Sequence, residues 1–126
     1  MATTAPVIKT EQHVFQDGIV NNGVSIVGNI ATVSAAATAL PTSVKVIKIA
    51  VSGTTSTAMT LAAGVEGQEI MLIMTAVGTG SSDAVVTAPL YSTFTTLTFG
   101  ALGDTVSMIC LSGEWWITSN ISVTVG

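Results

Sequence analysis

Few side chains in this sequence could do chemistry. There is one histidine, His13, and one cysteine, Cys110. A Ser-His-Asp triad would have to be built on His13, which stands beside a polar N-terminal stretch and reads as a surface or strand-edge histidine. Cys110 lies in the apolar run Val106-Ser107-Met108-Ile109-Cys110-Leu111, where a thiol packs as a small hydrophobe. As a lone cysteine it excludes an internal disulfide, and a chain without an oxidative framework suits a reducing cytoplasm. Glu66 and Glu69 are the only close pair of carboxylates. They flank Gly67 and read as a solvated turn, and a Ca²⁺ site there would need oxygens from elsewhere in the fold. One histidine and one cysteine make no zinc set. No glycine-rich stretch leads into a helix, so no phosphate loop forms. The expectation is a protein that is not an enzyme and holds no cofactor or metal.

Trp115-Trp116 is the most informative pair. Adjacent side chains on a strand point to opposite faces. If Trp115 joins Ile117 in a core, Trp116 faces outward. In a chain with 5% aromatic residues, an outward tryptophan suggests a contact surface: a subunit interface or a platform for stacking a sugar. The plainer alternative is that another strand or an N-terminal arm covers it.

Charge narrows the partners. Only 8% of the residues are charged, against about 25% in an ordinary globular domain. Arginine is absent, and the lysines are Lys9, Lys45 and Lys48. Three scattered lysines in a chain of net charge −4 do not neutralise a run of phosphates, which excludes nucleic-acid binding and disfavours an anionic membrane surface. No stretch reaches the roughly 18 apolar residues of a membrane helix. Met1-Ala2-Thr3-Thr4-Ala5-Pro6 lacks a basic segment followed by an apolar block, so it does not read as a signal peptide. Without secretion the sequon Asn120-Ile121-Ser122 is a chance match. A neutral surface tends to associate, so much of this one is expected to be covered by neighbours.

The elements that would position these residues are strands. Thr occurs 20 times and Val 16 times, which is strand composition, and 126 residues suit one domain. Residues 1–12 read as a polar, Pro-containing arm, followed by a single β domain over 13–126. Ile19-Val20 and Val24 to Val27 flank Asn21-Asn22-Gly23 and predict a hairpin. Ile30 to Leu40 is alanine-rich and ambiguous, read as strand or irregular structure ending at Pro41. Val44 to Val51 and Gln68 to Ala76 carry apolar residues on both faces, which implies cover on both sides. Further strands are predicted at Ala58 to Leu61, Asp83 to Thr87, Phe94 to Phe99, Thr105 to Leu111, Glu114 to Thr118 and Ile121 to Val125. Eight or nine short strands with Gly-rich turns predict an all-β fold, a small antiparallel β-sandwich or β-barrel with an extended N-terminal arm.

From Leu61 to Ile117 the chain resembles small phage capsid decoration (cement) and head-fibre proteins. The resemblance rests on a Leu-rich turn into Gly-x-x-Gly-Gln (Leu61-Ala62-Ala63-Gly64-Val65-Glu66-Gly67-Gln68) and the strand Ile70 to Met74. A Gly/Ser loop and Val-Val strand follow (Gly78 to Val86), then Leu97-Thr98-Phe99, Gly103-Asp104 and Val106-Ser107-Met108. Gly113-Glu114-Trp115-Trp116-Ile117 ends it. The resemblance implies a virion protein made in the host cytoplasm, often a homotrimer, that sits on the capsid surface, binds the major capsid protein and reinforces the lattice. The matched positions are scaffold and transfer no functional residues.

On this reading the partner contacts fall on Thr3, Thr4, Pro6, Val7, Ile8 and Lys9 of the arm and on Trp116. The alternatives are a receptor- or carbohydrate-binding module of a phage fibre, with Trp116 and the loop Gly78 to Asp83 as platform, or a tail or neck component that forms rings.

Overall fold

The computed structural model describes residues 19–21, 23–34, 38–53, 55–79 and 82–126. These residues form strands and no helix. The strands are β1 (Ile19–Asn21), β2 (Val24–Val27), β3 (Ile30–Val33), β4 (Thr38–Leu40), β5 (Val46–Ala50) and β6 (Thr57–Leu61), followed by β7 (Glu69–Ala76), β8 (Ala84–Thr87), β9 (Thr96–Phe99), β10 (Thr105–Leu111), β11 (Glu114–Ile121) and β12 (Thr124–Val125). The all-β class expected from composition is what the chain adopts. The expected arm, its contact residues Thr3, Thr4, Pro6, Val7, Ile8 and Lys9, and His13 lie outside the described residues.

Turn chemistry fixes the hairpins. Asn21 pairs with Val24 across the predicted β1–β2 turn. Leu111 pairs with Glu114 across Ser112-Gly113, whose φ angles of 56° and 79° are the two left-handed residues of a type I′ turn. Alternation then sorts the side chains. Ile70, Leu72 and Met74 of β7 are buried, as are Ile47 and Ile49 of β5 and Val106, Met108 and Cys110 of β10. They meet Met59, Leu61, Val86, Leu97 and Phe99 from the opposite sheet in one core.

The pairing differs from the antiparallel sandwich or barrel that was expected. The large sheet has the order β1-β2-β3-β5-β7-β10-β11 and the small one β12-β9-β8-β6-β4. Neither closes into a barrel. β3 with β5, β5 with β7, β4 with β6 and β6 with β8 are parallel pairs. From β3 to β8 the chain therefore winds as a coil, crossing between sheets at each step. A parallel pair needs a long crossover, and here the strand in the opposite sheet supplies it. The unbroken apolar runs at Val44 to Val51 and Ile70 to Met74 are the parallel-strand pattern, which period-two reading alone does not tell from a sandwich strand. Antiparallel strands β9 to β12 complete both sheets.

The predicted strand Ile121 to Val125 is also broken. Ser122 has φ 62°, and the Asn120 side chain bridges the break, with Nδ2 donating to the Val123 carbonyl and Oδ1 accepting from the Val123 amide, both at 2.9 Å. Asparagine side chains substitute for backbone in this way. The chain thereby leaves the large sheet and pairs β12 with β9 in the small one.

Trp115 locks one end of the sandwich. Its ring is fully buried, and Nε1 donates to the Ala62 carbonyl at 2.9 Å. Its backbone accepts from Tyr91 and donates to the Pro89 carbonyl. A Cβ on Gly64 would stand 2.8 and 2.9 Å from two ring atoms of Trp115 and also against Gln68 Oε1. Gly64→Ala is therefore expected to destabilise the fold by about 1–3 kcal/mol through overpacking, read as a lower midpoint in denaturant unfolding. An unchanged midpoint would contradict the close approach.

Candidate functional site

The outward face of the large sheet is where the chain departs most from an ordinary water-exposed surface. Inward residues alternate with Val27, Ile30, Val46, Met71, Ile73, Ile109 and Trp116, which point away from the core. The register lines these up. Val27 pairs with Ile30, Ile30 with Val46, Val46 with Met71 and Met71 with Ser107. One row of mostly apolar side chains thus crosses β2, β3, β5, β7 and β10. A second row runs Ser25, Thr32, Lys48, Ile73, Thr105 and Ile121, and a third Glu69, Ile109 and Trp116. Val27 is 61% exposed, Met71 38%, Trp116 44% and Ile121 59%.

The outer face of the small sheet is different in kind. Thr60, Thr87 and Thr96 form a row there, beside Ala58, Val85, Thr98 and Thr124. Threonine and alanine face water at little cost. Large aliphatic side chains gathered on one sheet face are costlier to leave in water.

An aromatic corner ends the apolar face. Tyr91 stacks on Trp116 with centroids 5.0 Å apart and planes at 17°, and Phe94 meets Tyr91 edge-on at 5.5 Å and 71°. Trp116, singled out from sequence, is thus outward while Trp115 is in the core. Of the loop Gly78 to Asp83, Ser82 and Asp83 lead into β8 of the small sheet, and Gly80 and Ser81 lie outside the described residues.

Glu66 and its polar neighbours have structural work. Glu66 Oε1 accepts from the Ser112 amide at 2.7 Å and ties the Gly64 to Gln68 loop to the β10–β11 turn. Glu69 stands on the large-sheet face. Gln68 donates through its side chain to the Thr42 carbonyl and accepts from the Val65 amide at 3.0 Å. Asp104, buried, uses Oδ2 to accept from the Gly100 and Ala101 amides at 2.8 and 2.9 Å. Cys110 is buried and free. Among the described residues, no three His, Cys, Asp or Glu gather to hold a metal ion.

Sequence reading found Trp116 and the two-faced strands but not the row that joins them, since the row exists only once β2, β3 and β5 are neighbours. Comparison with known protein families, curated proteins and solved structures returned no match.

The tryptophan pair should separate core from surface. Trp115→Ala is expected to cost about 3–5 kcal/mol as a large core truncation. Trp116→Ala should cost clearly less: the stacking on Tyr91, about 0.5–1.5 kcal/mol, and the burial of only part of a ring that is 44% exposed. Equal losses in chemical denaturation would contradict the assigned faces.

Proposed function

We propose that this chain is a structural virion protein that decorates a phage capsid, binding its outer surface and stabilising the shell. The observation that carries the reading is the large-sheet face, where Val27, Ile30, Val46, Met71, Ile73, Ile109 and Trp116 point outward among serines, threonines and a few charged residues. A protein that works alone gains nothing from such a face, whereas one that functions when packed among neighbours uses it. The resemblance of Leu61 to Ile117 to decoration and head-fibre proteins supports the same reading. The proposed partners are the major capsid protein and further copies of the chain, with no role for nucleic acid, membrane or cofactor. The resemblance implies a homotrimer, the order that suits a local three-fold position on a lattice. Thr3, Thr4, Pro6, Val7, Ile8 and Lys9 are the proposed contacts to the shell.

The mechanism is mechanical. Contacts made only in the assembled state stabilise that state by mass action. A second reading, a receptor- or carbohydrate-binding module of a phage fibre, is favoured by the Tyr91–Trp116 stack, because aromatic faces of this kind also bind sugar rings.

Mixing the full chain with undecorated capsids should raise their rupture temperature. At about 100 times Kd each occupied site contributes about 2.7 kcal/mol. Absence of binding with an unchanged rupture temperature would overturn the proposal. Binding to a glycan array that Trp116→Ala abolishes would favour the second reading.

A further inference from the structure

We infer that the outer face of the large sheet is covered by the same face of a second copy of this chain, related by a two-fold axis along the row Val27, Ile30, Val46, Met71. The inference deepens the reading of this face as an assembly surface and stands independently of the shell that the assembly would bind.

Three observations point to a second copy. First, two charges beside the central row, Lys48 and Glu69, are self-complementary. Val46 and Met71 are register partners on the parallel strands β5 and β7. Lys48 stands two residues beyond the row on β5, and Glu69 two residues before it on β7. A two-fold axis lying along the row reflects one side of it onto the other. Glu69 of the other copy then comes level with Lys48, one strand spacing of about 4.8 Å to the side, within reach of the flexible lysine, while the aliphatic residues of the row meet each other on the axis. Lys45, at the Glu69 end of the face, adds a second positive group beside that carboxylate.

Second, the area suffices. Six strands about 4.8 Å apart, each about 18 Å long, give a face on the order of 500 Å² before side-chain relief. Two copies then bury about 1,000 Å² or more, the threshold for a specific interface. Third, the row borders a shallow open hollow lined by Lys45, Val46, Glu69, Met71, Ser107 and Thr118, a recess for side chains of the opposing copy.

The same face suits three copies poorly. β5 is the middle strand of seven. Three faces turned inward about an axis along the strands would bring three Lys48 ammonium groups together with no opposite charge between them, a costly burial. The resemblance implies a trimer; the charge pattern of this face fits a pair.

Analytical ultracentrifugation of the full chain across a wide concentration range tests this, with Lys48→Glu, Glu69→Lys, the double reversal and Met71→Lys. The expected result is a monomer–dimer equilibrium. Each single charge reversal weakens it by about tenfold, the double reversal restores it to near the parent value, and Met71→Lys abolishes it. Circular dichroism melts confirm that every variant folds. A trimer overturns the two-fold. A monomer at all concentrations overturns self-pairing, whatever covers the face. A dimer indifferent to all four variants places the interface elsewhere and overturns the assignment. Capsid binding is read separately: a dimer that leaves capsids unbound removes the shell reading and keeps the pairing, and capsid binding by a protein that does not dimerise does the reverse.

Discussion

Trp115 holds the two sheets in one relation, and the rest of the molecule depends on it. Its ring fills the end of the core, its indole nitrogen bonds Ala62 after β6, and its backbone bonds Pro89 and Tyr91 after β8. β6 and β8 belong to the small sheet and β11 to the large one. One side chain and its own peptide groups therefore tie the β6–β7 crossover and the β8–β9 connection of the small sheet to the edge strand of the large one. Gly64 is fixed by this arrangement, because only a residue without Cβ lets the loop lie against the indole. Trp116 is fixed as well. With Trp115 inward, the next side chain must leave the core, and Tyr91, carried by the bonded loop, is at hand to stack on it.

Scarce charge takes on a location in this frame. The chain disposes of its neutral surface in two ways. Threonine and alanine line the outside of the small sheet, where they need no partner. Valine, isoleucine, methionine and tryptophan share the outside of the large one with serine and threonine, and Lys48 and Glu69 are set on opposite sides of the central row. Covering the exposed apolar side chains of that second face would remove them from water.

Much of this was legible in the residues. The Asn-Gly turn announced the first hairpin, and Ile70 to Met74 announced the strongest strand together with its inward face. The Trp115-Trp116 alternation gave both sides of β11. What the sequence withheld was pairing across distance. Val46 and Met71 are neighbours only because β6 carries the chain through the other sheet and back. Alternation along one strand carries no record of whether its neighbour runs parallel or antiparallel. Ile121, Val123 and Val125 alternate as a strand should, yet Asn120 and Ser122 break them, because a side chain can replace a backbone ladder at one residue without disturbing the pattern around it. Of the candidate contacts, Trp116 sits on the apolar face; Thr3, Thr4, Pro6, Val7, Ile8 and Lys9 lie outside the described residues.

Met71 reports directly on whether the large-sheet face is covered. It is outward and near the middle of the central row, whereas Met59, Met74 and Met108 are buried in the core. Peroxide oxidation followed by mass spectrometry reads each thioether separately. A covered face predicts that Met71 oxidises readily in dilute protein and slows as the full chain is concentrated, while the three core methionines stay slow throughout. Oxidation of Met71 at one constant fast rate, from dilution to the highest concentration reached, would contradict it.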